Sequence, residues 1–260
     1  MLDMDPREIQ RNLKTERFGR KIFFFDEIES TNQYAWKLAE KGEVEGTIVL
    51  AKSQYKGRGR MGREWFSPKG GLWLSVILKP FLKINVAEKV TLMAGVSIVE
   101  VINELYGLAA KLKWVNDVLV NQRKVAGVLT ESSVVNDRIN FMVLGIGVNV
   151  NVTQFPQELK DIATSISLEL GKLVNLNEFS SKLLEKLELN YKSMCKSEIA
   201  KIVEKWKKYS ATLGRFVEIY SNGEKLTGKA IDIDEEGFLI LELESGEKIK
   251  VLTGTCRHVT

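Results

Sequence analysis

The side chains best suited to chemistry in this sequence crowd into one short stretch, Gly57-Arg58-Gly59-Arg60-Met61-Gly62-Arg63, followed by Glu64-Trp65-Phe66-Ser67-Pro68. Alternating glycine with arginine gives a backbone free to take positive φ and guanidinium groups that fork onto phosphate or carboxylate. The pattern predicts a loop that closes over an anion. Taken alone, it also fits a solvated basic loop or a weak nucleic-acid tether. A second basic candidate is Lys124, at the head of Lys124-Val125-Ala126-Gly127-Val128-Leu129. Most such lysines are solvated, but a glycine inside a strand marks a place where a ligand or another backbone comes close. Gly145-Ile146-Gly147-Val148-Asn149 repeats that signal, and something flat is expected to lie on its face. Ser30-Thr31-Asn32 places consecutive polar side chains where a single helix cap needs only one. His258 is the one histidine, and Cys195 and Cys256 are the two cysteines. Neither a zinc cluster nor a nucleophile–histidine pair can therefore be built, except through His258 itself.

These residues need a scaffold, and the apolar pattern supplies one. Lys21 to Phe25, Thr47 to Ala51 and Leu72 to Leu78 read as strands, with Gln54 and the glycine-arginine loop between the second and third. Residues 7 to 19 fit a short polar helix, and Ser30 opens another that stops at Gly42. Apolar positions 86, 90, 94, 98, 101 and 105 give an amphipathic helix from Val86 to Tyr106. Two hairpins follow. The first turns at Asn121-Gln122-Arg123, just after Lys113-Trp114-Val115-Asn116-Asp117, and the second turns at Asn136-Asp137 and returns over Phe141 to Asn151. Asn177 to about Tyr209 is helical, with apolar positions such as Phe179, Leu183 and Trp206 and a break near Lys196-Ser197. After Gly214 come short strands, Phe216 to Tyr220, Lys225 to Ile233, Phe238 to Leu243 and Lys248 to Leu252. Their turns are Ser221-Asn222-Gly223, Glu235-Glu236-Gly237 and Glu244-Ser245-Gly246. The expected fold class is α+β, with a mixed central β-sheet flanked by helices over residues 1–212 and a small SH3-like β-barrel over 213–260.

A length of 260 residues supports such a core without disulfide or metal staples. The net charge of +4 is too small for a dedicated nucleic-acid binder. Met-Leu-Asp-Met-Asp-Pro does not begin like a signal peptide, and no apolar run approaches a membrane span. A cytoplasmic protein with no membrane partner is expected. The residues before the first strand are too few for a helix-turn-helix head, so direct DNA binding by one is not expected.

Together, Ser30-Thr31-Asn32, Gln54, the segment from Gly57 to Pro68, Lys113 to Asp117, Arg123 to Leu129 and Gly145 to Asn151 resemble the biotin protein ligases in order and spacing. The resemblance implies an enzyme that makes biotinyl-5′-adenylate from biotin and ATP with Mg²⁺ and releases pyrophosphate. Biotin then passes to one lysine of a biotin carboxyl carrier domain of a biotin-dependent carboxylase. Carried over by position, Ser30, Thr31, Asn32 and Gln54 would hold biotin's ureido ring. Arg58 and Arg60, with the amides near Gly57 and Gly59, would hold the carboxylate and then the adenylate phosphate, and Lys124 would stand at their junction. Catalysis falls to Lys124, Arg60 and Arg58, whereas Arg63, Trp65, Asn116, Asp117 and Asn149 would meet the nucleotide. No metal site of the chain's own is implied. The family usually carries proline where this chain has Val115, which leaves that turn less constrained. A lipoate protein ligase, sharing fold and adenylation chemistry, is the alternative enzyme, and a basic-loop nucleic-acid-binding protein is the alternative of another class. A homodimer paired through a sheet edge stays open.

Overall fold

A computed structural model of the protein describes residues 3–80, 87–196, 198–221 and 223–259. Val86, Ser197 and Asn222, which entered the expected helix, helix break and turn, lie outside them. Seven strands form the larger sheet: β1 (Ile22–Ile28), β2 (Ile48–Gln54), β3 (Leu72–Leu78), β4 (Lys111–Lys113), β5 (Asp117–Val120), β6 (Arg123–Val135) and β7 (Arg138–Val148). Their order is β1-β2-β3-β7-β6-β5-β4, parallel between β1 and β2 and antiparallel elsewhere. The sheet is therefore mixed, as the fold implied by the resemblance requires.

Alternation along the strands divides the core between the two faces. Ile48 and Leu50 join the larger cluster under helices α3 (Ala87–Tyr106), α5 (Leu176–Cys195) and α6 (Ile199–Tyr209). Val49, between them, packs with Ile77, Val143 and Phe141 beneath Ala35 and Ala39 of α2 (Thr31–Glu40). Strand β3, covered on both sides, is buried along its whole length.

Both hairpins fall where expected. Asn121 and Gln122, with φ of 48° and 66°, and Asn136 and Asp137, with 50° and 59°, supply the left-handed pairs that tight two-residue turns require. The peptide between Trp114 and Val115 is cis.

Helix α1 is shorter than the expected span of 7 to 19: it covers Pro6–Asn12. The following segment cannot continue it, because the carboxylate of Glu188 on α5 accepts the backbone N–H groups of Glu16, Arg17 and Phe18 at 2.6–3.0 Å. Helix α4 (Ile166–Leu170), capped by Ser165, was not read from the sequence.

A second sheet holds β8 (Phe216–Ser221), β9 (Glu224–Ile233), β10 (Leu239–Glu242), β11 (Lys248–Val251) and an unanticipated β12 (Thr255–His258). All pairs are antiparallel in the order β11-β10-β9-β8-β12. The outer strands do not pair with each other among the described residues, so the sheet is open where a closed barrel was expected. Its buried residues continue the main core, and the Trp114 indole N–H donates to the Gly237 carbonyl across the junction at 3.4 Å. This docking brings the loop before β12 within hydrogen-bond reach of Arg60, whose guanidinium donates to the Thr253 hydroxyl.

Candidate active site

One cavity gathers most of the residues singled out above. Ser30, Thr31, Asn32, Gln54, Arg58, Gly59, Arg60, Arg63, Trp65, Asn116, Asp117 and Lys124 all line it. Gly57 and Asn149 do not.

The floor comes from β6 and β7, where Gly127 and Gly147 stand opposite each other. A Cβ on Gly147 would lie 2.3 Å from Trp65 Nε1, and one on Gly127 would lie 3.0 Å from the same indole. The flat body on the glycine face is thus the chain's own Trp65. Its ring N–H is buried and has no hydrogen-bond partner among the described residues. Gly145 serves Asn32 in the same way, since a Cβ there would come within 2.1 Å of Asn32 Oδ1.

At one end, the helix start combines capping with recognition. Ser30 caps α2, its Oγ accepting from the Gln33 N–H at 3.5 Å. Thr31 turns elsewhere: its N–H and hydroxyl both donate to Gln54 Oε1, at 2.8 and 3.1 Å, and Gln54 Nε2 donates to Ser67 at 2.9 Å. Ser75 Oγ lies 2.8 Å from Thr31 Oγ1 and 2.6 Å from Asn32 Oδ1. Buried polar groups held this way present a fixed donor and acceptor pattern.

The glycine-arginine segment is a laced hairpin. Gly59 N–H donates to the Arg63 carbonyl at 2.7 Å and Trp65 N–H to the Gly57 carbonyl at 2.9 Å, around a 3-10 turn at Arg60–Gly62 in which Met61 takes φ 57°. Gly57 lets the two arms meet, because a Cβ there would stand 2.3 Å from the Trp65 carbonyl oxygen. That tight seat removes it from the cavity wall. Asn149 is also structural in its placement: it is buried, and its Nδ2 donates to the Thr164 carbonyl at 3.0 Å. The expected meeting of its side chain with adenine gains nothing from that position.

Cationic groups dominate the rim. Arg58 pairs with Glu131 at 3.1 Å, and Arg63 donates to Thr255 Oγ1 at 2.8 Å. Arg60 donates to Asn116 Oδ1 at 3.4 Å and to Thr253 Oγ1 at 2.7 Å, clasping loop, turn and C-terminal segment together. Burial lowers the pKa of Arg60 from its usual value, against the opposing charges of Asp117 and Glu88. An arginine nonetheless keeps its proton. Lys124 Nζ lies 2.5 Å from Asp117 Oδ1 and 4.8 Å from the centroid of the Trp65 ring.

Gly254, Thr255 and Cys256 also line the cavity, and no role was assigned to them from the sequence. Burial pushes the Cys256 thiol up to about 11, so it is not a thiolate at neutral pH. His258 is off the wall, with Nε2 3.1 Å from Thr212 Oγ1. Burial, with Lys113 and Arg215 nearby, lowers its pKa to about 4. Among the described residues, no three His, Cys, Asp or Glu side chains gather as a metal site would require, and no helix is long and apolar enough to cross a membrane.

Such a cavity can bring an organic acid and a phosphate together against fixed positive charge. Residues 24–149 match the model of the biotin/lipoate A/B protein ligase family, and residues 212–259 that of the biotin protein ligase C-terminal domain. The chain is 38% identical to the bifunctional ligase/repressor BirA of Bacillus subtilis over 248 residues, 94% of this chain and 76% of that one. It is 30% identical to the biotin–[acetyl-CoA-carboxylase] ligase of Mycobacterium tuberculosis, with 100% of each chain covered. Among solved structures, the biotin protein ligase of Aquifex aeolicus in complex with biotin and ATP aligns with a TM-score of 0.81 and 31% identity, over 92% of this chain and 100% of that one.

Proposed function

The chain belongs to the biotin/lipoate A/B protein ligase family, and we propose that its glycine-floored cavity is where the carboxylate of biotin meets the α-phosphate of ATP. The protein is an ATP-dependent biotin protein ligase that acts on acetyl-CoA carboxylase. In the first step a carboxylate oxygen of biotin attacks the α-phosphorus. The bond from that phosphorus to the bridging oxygen breaks, and pyrophosphate leaves with the electron pair. In the second, the amine of an acceptor lysine attacks the acyl carbon, loses a proton and expels AMP. The acceptor we assign is a biotin carboxyl carrier domain. Residues 1–212 are read as the adenylating unit and 213–260 as an SH3-like unit.

The observation that carries the assignment of residues is the convergence of Arg58, Arg60, Arg63 and Lys124 on one cavity whose other end is the Ser30–Thr31–Gln54 network. Joining two anions requires neutralised charge, fixed orientation and exclusion of water. Thr31 and Gln54 exchange their mutual hydrogen bonds for the ureido edge of biotin, while Ser30 and Asn32 hold the corner in shape. Arg58 and Arg60 take the carboxylate and then the adenylate phosphate. Lys124 exchanges Asp117 for the oxygen between them. Magnesium enters as part of the nucleotide substrate.

Because Trp65 covers the glycine floor, the hairpin must move to admit the bicyclic acid and close again over the adenylate, which water would otherwise hydrolyse. Hydrogen exchange on the amides of residues 57–65 is expected to slow by roughly tenfold, about 1.4 kcal/mol of local stabilisation, when biotin and ATP are both present. Equal protection with and without the two substrates would contradict this closure.

A further inference from the structure

Just behind the cavity wall, a carboxylate is buried for which the two reaction steps have no use. Glu169, on α4, has a side chain only 4% exposed. Its Oε1 accepts from Arg123 Nη2 at 2.6 Å and Thr164 Oγ1 at 2.5 Å, and its Oε2 accepts from Asn121 Nδ2 at 2.6 Å. The three donors bracket Lys124. Asn121 and Arg123 belong to the turn that leads into it. On its other side, Lys124 N–H donates to the Ile162 carbonyl at 2.8 Å, and Thr164 N–H returns a bond to the Lys124 carbonyl at 2.9 Å. Asn149 then secures the Thr164 carbonyl from within the core. The backbone of Lys124 is thus held by residues 162–164, and Glu169 ties that segment to the 121–123 turn.

We propose that Glu169 is a positioning residue for Lys124, locking turn and flanking segment together so that the ammonium is presented to the cavity beside Asp117. The proposal rests on the reading of Lys124 as the charge that meets carboxylate and phosphate. An exposed Arg–Glu pair would be worth little. This carboxylate is buried and accepts from three donors, so its removal strands the buried Thr164 hydroxyl and frees Arg123, whose side chain is half-exposed, from the segment it holds. Burial raises its pKa, but Thr164, Asn121 and Arg123 outweigh that and hold it below the usual carboxylate range. Displacing a catalytic charge by as little as about 1 Å can cost on the order of a hundredfold in rate, so a tie outside the cavity can register in catalysis.

The test is single-turnover formation of biotinyl-5′-adenylate by Glu169→Ala, Glu169→Gln, Lys124→Ala and the Glu169→Ala/Lys124→Ala double variant, with KM for biotin measured alongside. Glu169→Ala is expected to lower the maximal rate about tenfold while leaving KM for biotin within about twofold. Glu169→Gln should restore most of the rate, because it keeps an acceptor for Arg123 and Thr164 and its amide can face a flipped Asn121. The double variant should be no slower than Lys124→Ala alone, since a tie that acts only through Lys124 has nothing left to position. If Glu169→Ala does not fold, Thr164→Val removes one of the three bonds at nearly constant shape, and its smaller loss should likewise vanish in the Lys124→Ala background. Additive losses, or a Glu169→Ala rate within about twofold of the parent, would overturn the inference while leaving the role of Lys124 intact. A Lys124→Ala rate close to the parent's would overturn both.

Discussion

Lys124→Ala is expected to slow biotinyl-5′-adenylate formation by at least about tenfold, roughly 1.4 kcal/mol of lost transition-state stabilisation. The loss should exceed that of a lone charge because of where Lys124 sits. Its ammonium and the Asp117 carboxylate neutralise each other at 2.5 Å. Removing the lysine takes away the cation and also leaves an unpaired carboxylate facing two incoming anions. Asp117→Asn in the Lys124→Ala background should therefore recover part of the rate. Lys124→Arg should recover less, since a guanidinium is larger and planar and the indole of Trp65 lies only 4.8 Å from the ammonium. Single-turnover measurement at saturating biotin and ATP decides the matter, and a rate within about twofold of the parent would remove the assigned role.

The sequence speaks most plainly where chemistry and local geometry demand the same residue. Alternating glycine and arginine reads as an anion loop, and paired strand glycines read as a face reserved for something flat. Both features line the cavity in the folded chain, although the flat body on the floor is Trp65. Elements with strong local pattern are equally legible, such as β3 between Gly71 and Pro80, or α3 with its apolar positions recurring at helical spacing. What escaped depends on partners far away in the chain. The early end of α1 is imposed by Glu188, whose hydrogen bonds to residues 16–18 span at least 170 positions. The wall at residues 254–256 belongs to the site only because the second sheet docks beside the first, where Arg60 reaches Thr253 across 193 positions. Nothing local in Thr253-Gly254-Thr255 announces that contact. Asn149 shows how one side chain can carry two readings: beside strand glycines it invites a ligand role, and in the folded chain its Nδ2 donates to the Thr164 carbonyl.

Arg60→Ala is the second large effect expected, with adenylation slowed at least about tenfold and KM for ATP raised. Arg60 joins the loop to Asn116 and to Thr253 through one planar group. The folded protein already bears the cost of desolvating it, so once the hairpin has closed its charge faces the phosphate held by fixed partners. Substitution by alanine loses the charge and releases the clasp that holds the C-terminal segment against the cavity. Arg60→Lys should not rescue, because an ammonium on a flexible stem cannot span both partners. By contrast Arg63→Ala, which frees only an exposed contact to Thr255, should cost less. Steady-state kinetics with ATP varied at saturating biotin gives both quantities, and an unchanged KM with a rate within about twofold of the parent would contradict the clasp and the phosphate contact together.

The most direct test of the central claim, that this cavity activates biotin with ATP, is ATP–pyrophosphate exchange by the purified protein with Mg²⁺ and with biotin, lipoate or neither acid. Exchange stimulated by biotin alone is the predicted result. Stimulation by lipoate alone, or no exchange with either acid, would contradict the claim.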